Sequence, residues 1–291
     1  MNRNILITGA NGQLGSELRC IADNYSNFIF FFTDIDTLDL TNKDAVSNYV
    51  EDNKIHYIVN CAAYTAVDKA EDDADLCYKI NVDAVKNIAN AARSKAKAKV
   101  IHISTDYVFD GEGNRPYKET DNTNPQSVYG KSKREGEEAL LDSNPDSIII
   151  RTAWLYSSFG NNFVKTMLRL SKEREELNVV ADQKGTPTYA ADLAKAILDI
   201  VEYSERNNNF ASGIYHYSNE GETTWFDFTN EIVKQAGITT CKINPISTDQ
   251  YPVKAKRPQY SVLDKTKIRD TFNIDVPEWR ESLKRAIRSM Q

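Results

Sequence analysis

The sequence predicts an α/β protein: a doubly wound parallel sheet followed by a smaller C-terminal α/β lobe. Three observations predict it. Short apolar runs alternate with amphipathic stretches over about the first 150 residues. The first run, Ile5-Leu6-Ile7-Thr8, enters a turn with Gly9, Gly12 and Gly15 at three-residue spacing, and a helical pattern, Ser16 to Ile21, follows at once. An acidic residue, Asp34, ends the second run about 20 residues beyond those glycines.

Each element has its own justification. A strand, a glycine-rich turn and a helix let backbone N–H groups approach a pyrophosphate at the positive helix end, the arrangement of a Rossmann dinucleotide site. Phe28 to Thr33 reads as the second buried strand, and Asp34 stands where a ribose 2′-hydroxyl would be held. With no Arg or Lys beside it in Asp34-Ile35-Asp36, charge favours NADH over NADPH. Thr41 is the expected N-cap of a helix from Asn42 to Asp52. Ile55 to Asn60 is the third strand. It ends in Cys61-Ala62-Ala63-Tyr64-Thr65, small residues suited to close approach of a cofactor. Val67 to Ala92 reads as one or two helices. Val100-Ile101-His102-Ile103 is the fourth strand, ending in Ser104-Thr105-Asp106, where a hydroxyl can hydrogen-bond a carbonyl oxygen. A long polar loop follows. Asn124-Pro125 is the expected N-cap and N1 of the next helix, which runs to about Ser143. Ser147 to Arg151 is the fifth strand.

That last helix carries Tyr129-Gly130-Lys131-Ser132-Lys133. The spacing places a phenol and an ammonium one turn apart on one face. A cation at ~4 Å in an effective dielectric of about 20 is worth roughly 4 kcal/mol, enough to lower a phenol from its usual ~10 towards neutrality. Tyr129 and Lys133 are therefore candidates for acid–base work. Gly130 and Gly136 each cost the helix about 1 kcal/mol and imply close packing.

Beyond residue 151 the pattern loosens. Phe163 to Glu175 and Ala191 to Tyr203 read as helices, Gly213 to Tyr217 as a strand, and Phe226 to Ala236 as a helix. Residues 1–151 form the expected dinucleotide-binding domain. Segments at about 179–218 can return to it, and 152–291 form mainly a substrate-binding lobe. Lys254-Ala255-Lys256-Arg257-Pro258 is a basic turn able to meet an anionic substrate group.

The totals set limits. The chain has 291 residues, 41% hydrophobic and 27% charged, with a net charge of −6. That balance argues against a general nucleic-acid partner. Four scattered cysteines without a CxxC pair read as reduced thiols of a cytoplasmic protein. Three distant histidines give no zinc site, and no metal ligands are assigned. Neither a signal peptide nor a membrane-spanning run is expected.

The G-x-x-G-x-x-G turn, the Thr105 strand end and the Y-x-x-x-K helix together resemble the extended short-chain dehydrogenase/reductases. Longer strings resemble the dTDP-4-dehydrorhamnose reductase family: Cys61 to Glu71, Ser104 to Phe109, Val128 to Lys133 and Gly160 to Arg169. The resemblance runs from the glycine turn to Arg257-Pro258. It implies reduction of the 4-keto group of a dTDP-linked sugar, dTDP-6-deoxy-L-lyxo-4-hexulose, to dTDP-L-rhamnose for surface polysaccharide, with NADPH or NADH. It implies Tyr129 as proton donor, Lys133 as holder of the nicotinamide ribose and depressor of the phenol's pKa, and Thr105 as hydrogen-bond donor to the keto oxygen. Asp106 and Trp154 match sugar- or nucleotide-binding positions. Gly12, Gln13, Leu14, Asp34, Asp39, Leu40, Ala62, Ala63 and Thr65 match cofactor positions. Some members are magnesium-dependent homodimers, and both properties remain open here. Two other readings also remain: another nucleotide-sugar reductase or epimerase, and a non-catalytic cofactor-binding regulator resembling the β subunit of methionine adenosyltransferase. A dehydratase fits less well, because Tyr107 follows Thr105-Asp106 where a second carboxylate is needed.

Overall fold

The computed structural model describes residues 3–94 and 96–290. Strands β1 (Arg3–Thr8), β2 (Phe28–Thr33), β3 (Tyr57–Asn60), β4 (Lys99–Thr105) and β5 (Ser147–Thr152) alternate with helices. These are α1 (Gln13–Ile21), α2 (Lys43–Asp52), α3 (Val67–Ala70), α4 (Ala74–Tyr78), α5 (Ala84–Arg93) and α6 (Val128–Ser143). The chain goes on through β6 (Leu155–Tyr156), α7 (Phe163–Glu173), β7 (Glu176–Val180), β8 (Lys184–Gly185), β9 (Thr188–Tyr189) and α8 (Ala190–Asn207). It closes with β10 (Gly213–His216), β11 (Thr223–Thr224), α9 (Trp225–Gln235), β12 (Lys242–Ile246), α10 (Thr266–Phe272) and α11 (Trp279–Met290).

Six strands form one parallel sheet in the order β10-β5-β4-β3-β1-β2. Both faces are covered, which is why its strands read as unbroken apolar runs. Ile5, Ile7, Val59, Ile101, Ile148 and Ile150 pack towards α1 and α8. Leu6, Ile58, Val100 and Ile149 pack towards α2, α5 and α6 on the other face. The sheet is the doubly wound one expected. β10 extends it beyond β5, and α8 lies against α1. A separate core of Tyr156, Val164, Leu177, Phe228, Trp279 and Leu283 joins α7, α9 and α11 to β7.

The strand order reverses direction between β1 and β3, and ligands of such sheets bind in the crevice at that point. Gly9 sits there with φ +62°, and a Cβ on it would meet the backbone of Ala62 at 2.7 Å. Only glycine combines that torsion with that approach.

Two expected caps shift. Ser127, not Asn124, caps α6: its hydroxyl accepts from the Gly130 N–H at 3.1 Å. Asn124 is held out of the helix because its N–H bonds the Val108 carbonyl at 2.9 Å. Asn42, not Thr41, caps α2. The Asp39 carboxylate has already taken the N–H and hydroxyl of Thr41 at 2.9 and 2.8 Å. The stretch Val67 to Ala92 divides further than expected, with one π-type turn, Lys79–Asp83, between α4 and α5. Asn81 in that turn is fully buried; it accepts from the Tyr64 N–H at 2.9 Å and donates to the Ser132 hydroxyl at 2.9 Å. The glycines of α6 are explained by this neighbour and one other. A Cβ at Gly136 would collide with the Asn81 carbonyl oxygen, and one at Gly130 with the Tyr107 carbonyl oxygen.

Candidate active site

Three clefts adjoin one another, the second sharing lining residues with the first and with the third. The first, about 440 Å³, is lined by Gly9, Gly12, Asp34, Asp39, Leu40, Ala62 and Ala63, together with Asn11, Ile35 and Ile80. Asp34 is held in place: Oδ2 accepts from the Asn11 N–H and Oδ1 from the Ile35 N–H, both at 2.9 Å. Asp39 is occupied by the Thr41 turn, whose donors keep its carboxyl below the usual range. None of the residues lining this cleft is cationic.

The second cleft, about 550 Å³, shares Gly9, Gly12, Cys61 and Ala63 with the first. It adds Gln13, Leu14, Gly15, Thr65, Thr105, Asp106, Tyr129, Lys133 and Trp154. α1 starts at its floor, aiming its positive end inward. Gly160, Asn161 and Asn162 close the opposite side, with Asn162 Nδ2 donating to Gln13 Oε1 at 3.0 Å. The pair of clefts has the length, glycine floor and helix end that a dinucleotide needs.

The third cleft, about 360 Å³, shares Tyr107 and Trp154 with the second. Asp68, Trp225, Gln183 and Arg257 belong to it. Trp154 has φ +49° and stacks on Trp225 with ring centroids 3.5 Å apart. Arg257 Nη1 donates to the Tyr107 hydroxyl at 3.1 Å, and Nη2 pairs with the Asp68 carboxylate. The other two cations of that turn are also paired, Lys254 with Asp72 and Lys256 with Glu112. The basic turn is thus bound to the protein's own carboxylates.

At the second cleft's centre, Tyr129 is buried beneath the edge of Tyr107, centroids 5.5 Å apart. Thr105 donates to Asp106 Oδ1 at 2.9 Å, and Asp106 Oδ2 is buried without a hydrogen-bond partner. Burial pushes the Asp106 carboxyl up to about 6, against the Thr105 hydroxyl, which favours the charged form. Burial likewise raises the Tyr129 phenol above its ordinary value, with the Thr105 hydroxyl opposing the rise. This corrects the expectation that Lys133 depresses the phenol. Lys133 is itself buried, its amine drawn down to about 8 by desolvation. Its contacts are the Ile103 carbonyl at 2.8 Å and His102 Nε2 at 3.3 Å, on the strand side. Burial, not the lysine's field, decides the direction of the phenol's shift.

Every residue given a catalytic, cofactor or substrate role from the family resemblance, and Arg257 of the basic turn, lines one of these clefts. Tyr107, Asp68, Trp225, His102 and the Gly160–Asn162 loop were not singled out as site residues. Of these, Asp68, Tyr107 and the loop lie in family-like strings without having been given a role; His102 and Trp225 lie outside those strings and are brought in by tertiary packing.

A family model for the RmlD substrate binding domain matches residues 3–291. A dTDP-4-dehydrorhamnose reductase of Aggregatibacter actinomycetemcomitans is 45% identical over 285 residues, covering 96% of this chain and 97% of its own. A solved dTDP-4-dehydrorhamnose reductase from Clostridium acetobutylicum superposes with a TM-score of 0.92 at 47% identity, covering 99% of each chain. The corresponding protein of Bacillus anthracis, solved in complex with NADP, also gives 0.92, at 40% identity over 99% of this chain and 100% of that one. With its clefts, its Tyr129/Lys133 helix and relatives matched from end to end, the chain belongs to the dTDP-4-dehydrorhamnose reductase family.

Proposed function

We propose that this chain reduces the 4-keto group of dTDP-4-dehydrorhamnose to give dTDP-L-rhamnose, using NADPH or NADH. The observation that carries the reading is that the second cleft, which holds Thr105, Asp106, Tyr129 and Lys133, meets the third at Tyr107 and Trp154. A dinucleotide from one side and a sugar nucleotide from the other would touch only there. The complex of the Bacillus anthracis relative with NADP supports the cofactor class.

When bound, the reduced dinucleotide supplies the hydride to the carbonyl carbon. Tyr129 gives its proton to the carbonyl oxygen as charge develops on it. The phenol, raised further by burial, carries its proton at neutral pH. Thr105 turns its hydroxyl from Asp106 Oδ1 to that same oxygen, and Asp106 is freed to accept from a sugar hydroxyl. Lys133 would hold the nicotinamide ribose. Gly9, Gly12, Gln13, Leu14 and Gly15 would cradle the pyrophosphate, and Asp34 the adenosine ribose. Asp39, Leu40, Ala62, Ala63 and Thr65 would complete the cofactor walls. Trp154 covers the sugar, and Arg257 exchanges Asp68 for a phosphate of the sugar nucleotide.

In this reading residues 1–151, with a return at about 179–218, hold the cofactor, and 152–291 mainly hold the substrate. The four unpaired cysteines support a cytoplasmic location. Among the described residues no helix is long and apolar enough to cross a membrane. A homodimer rests on the family resemblance alone.

The deciding experiment follows NAD(P)H absorbance with dTDP-, UDP- and GDP-linked 4-keto sugars. Oxidation with the dTDP sugar is the expected result. Nucleotide binding without NAD(P)H oxidation in the presence of any of the three sugars would favour a regulator instead.

A further inference from the structure

His102 is fully buried on β4, and the proposed chemistry does not use it. Its ring nitrogens nevertheless join two parts of the site. Nδ1 lies 2.9 Å from Asn60 Nδ2, and Nε2 lies 3.3 Å from the Lys133 amine. The Asn60 amide has one allowed orientation. Its Oδ1 receives the Thr8 hydroxyl at 2.6 Å and the Ala62 N–H at 3.2 Å. Nδ2 must then donate to His102, so Nδ1 is an acceptor. A neutral imidazole that accepts at Nδ1 carries its proton on Nε2. That N–H points at Lys133. An ammonium has three donors and no acceptor, so the two would meet donor against donor; a neutral amine offers a lone pair and still donates to the Ile103 carbonyl.

We propose that His102 is a positioning residue: its Nε2–H, oriented through Asn60 and Thr8, favours the neutral amine of Lys133 until an anionic dinucleotide arrives beside it. The proposal rests on the reading of these clefts as a dinucleotide site. The arriving negative charge favours the ammonium, so binding takes up a proton. Affinity then falls as pH rises through the lysine's titration. Burial acts in the same direction, drawing the amine to about 8.

The other groups around the amine do not supply that limb. Cys61 at the end of β3 and Cys77 on α4 are both raised by burial. Tyr129, one turn back on α6, is raised as well. Glu137, one turn on, is locked to Arg151 of β5 through Nε at 2.9 Å and Nη2 at 2.7 Å. His102 is held neutral by burial. Asp106, across the cleft, titrates on the acid side at about 6.

The test has two arms. Nitrogen-15 NMR separates Nε2–H from Nδ1–H imidazoles, and the chain has three histidines. His216, whose Nδ1 faces the Tyr117 carbonyl at 3.0 Å, serves as the opposite tautomer, and His102→Gln identifies the His102 signals by their loss. His102 is expected as Nε2–H at neutral pH; an Nδ1–H or imidazolium form overturns the proposal, and this arm needs only the wild-type fold. The second arm measures NADH and NADPH affinity by nucleotide fluorescence between about pH 6.5 and 9.5. Glutamine can turn Oε1 to the ammonium, so His102→Gln should move the alkaline midpoint upward, retaining at least about threefold more of its neutral-pH affinity at the alkaline end than wild type does. An unchanged midpoint in a folded His102→Gln protein overturns the proposal. Absence of nucleotide binding by the wild type would count against the proposed function, and the tautomer would still decide the assignment of His102.

Discussion

Buried ionisable groups dominate this site at the scale of single residues. The phenol of Tyr129 is the proposed proton donor of the second cleft. Tyr129→Phe should therefore lower kcat by about 10²–10⁴ with little change in cofactor affinity, measured by steady-state turnover and nucleotide titration. Asp106 carries a cost that can be measured without substrate. Its folded carboxyl binds a proton more tightly than the unfolded one, at about 6 against ~3.8. The destabilisation it brings is absent below about pH 4 and complete above about pH 6, because the folded state must then hold a desolvated charge. Asp106→Asn keeps an acceptor for Thr105 and removes that charge. It should stabilise the protein by about 1–3 kcal/mol near pH 8 in thermal unfolding, lose the gain near pH 4, and lower kcat/KM. Residue identities at the site were legible because the glycine turn, Asp34, Thr105 and Tyr129/Lys133 sit at fixed local spacings. The direction of the phenol's pKa was not legible. Spacing gives the distance between two groups, whereas burial depends on packing by other elements, such as the Tyr107 ring against Tyr129.

Helix α6 shows what an element adds to its residues. Its glycines give up about 1 kcal/mol each of helix propensity, and close approach to Asn81 and Tyr107 is what they gain. For Gly136→Ala the steric term wins, because the group met is a backbone carbonyl oxygen that cannot swing away. We expect a net loss of about 1–3 kcal/mol in denaturant unfolding, where propensity alone would predict a gain. Ser127→Ala should cost about 1 kcal/mol through loss of the cap. The caps were misread in the sequence for one physical reason. Asn, Asp, Ser and Thr are near-equal cappers, and the choice at both helices is made by hydrogen bonds outside them, Asn124 N–H to Val108 and Thr41 to Asp39. Strands were easier. A strand covered on both faces is a short apolar run bounded by turn residues, as in Ile148-Ile149-Ile150.

At the scale of the whole molecule, the parallel sheet and its loops line most of the first two clefts, and elements beyond β5 supply most of the third. The sequence offers Gly213 to Tyr217 as a strand within segments able to return to the first domain; its place beside β5 is set by tertiary packing, with α8 against α1. Arg257 is the longest-range tie across the clefts, joining the C-terminal turn to α3 through Asp68, which also accepts from the Ala255 N–H at 3.1 Å. Arg257→Met should raise KM for the sugar nucleotide about tenfold to a hundredfold, the scale of charge-assisted hydrogen bonds, while NAD(P)H affinity changes less than about threefold. A tenfold loss of cofactor affinity would show that the turn holds both halves together instead. The Trp154–Trp225 stack joins a residue just beyond β5 to the first residue of α9. Two indoles that close and nearly parallel couple their electronic transitions, and the coupling gives paired bands of opposite sign in circular dichroism. The protein thus carries its own optical gauge of the third cleft, one that fades when a ligand parts the two rings and needs no added dye.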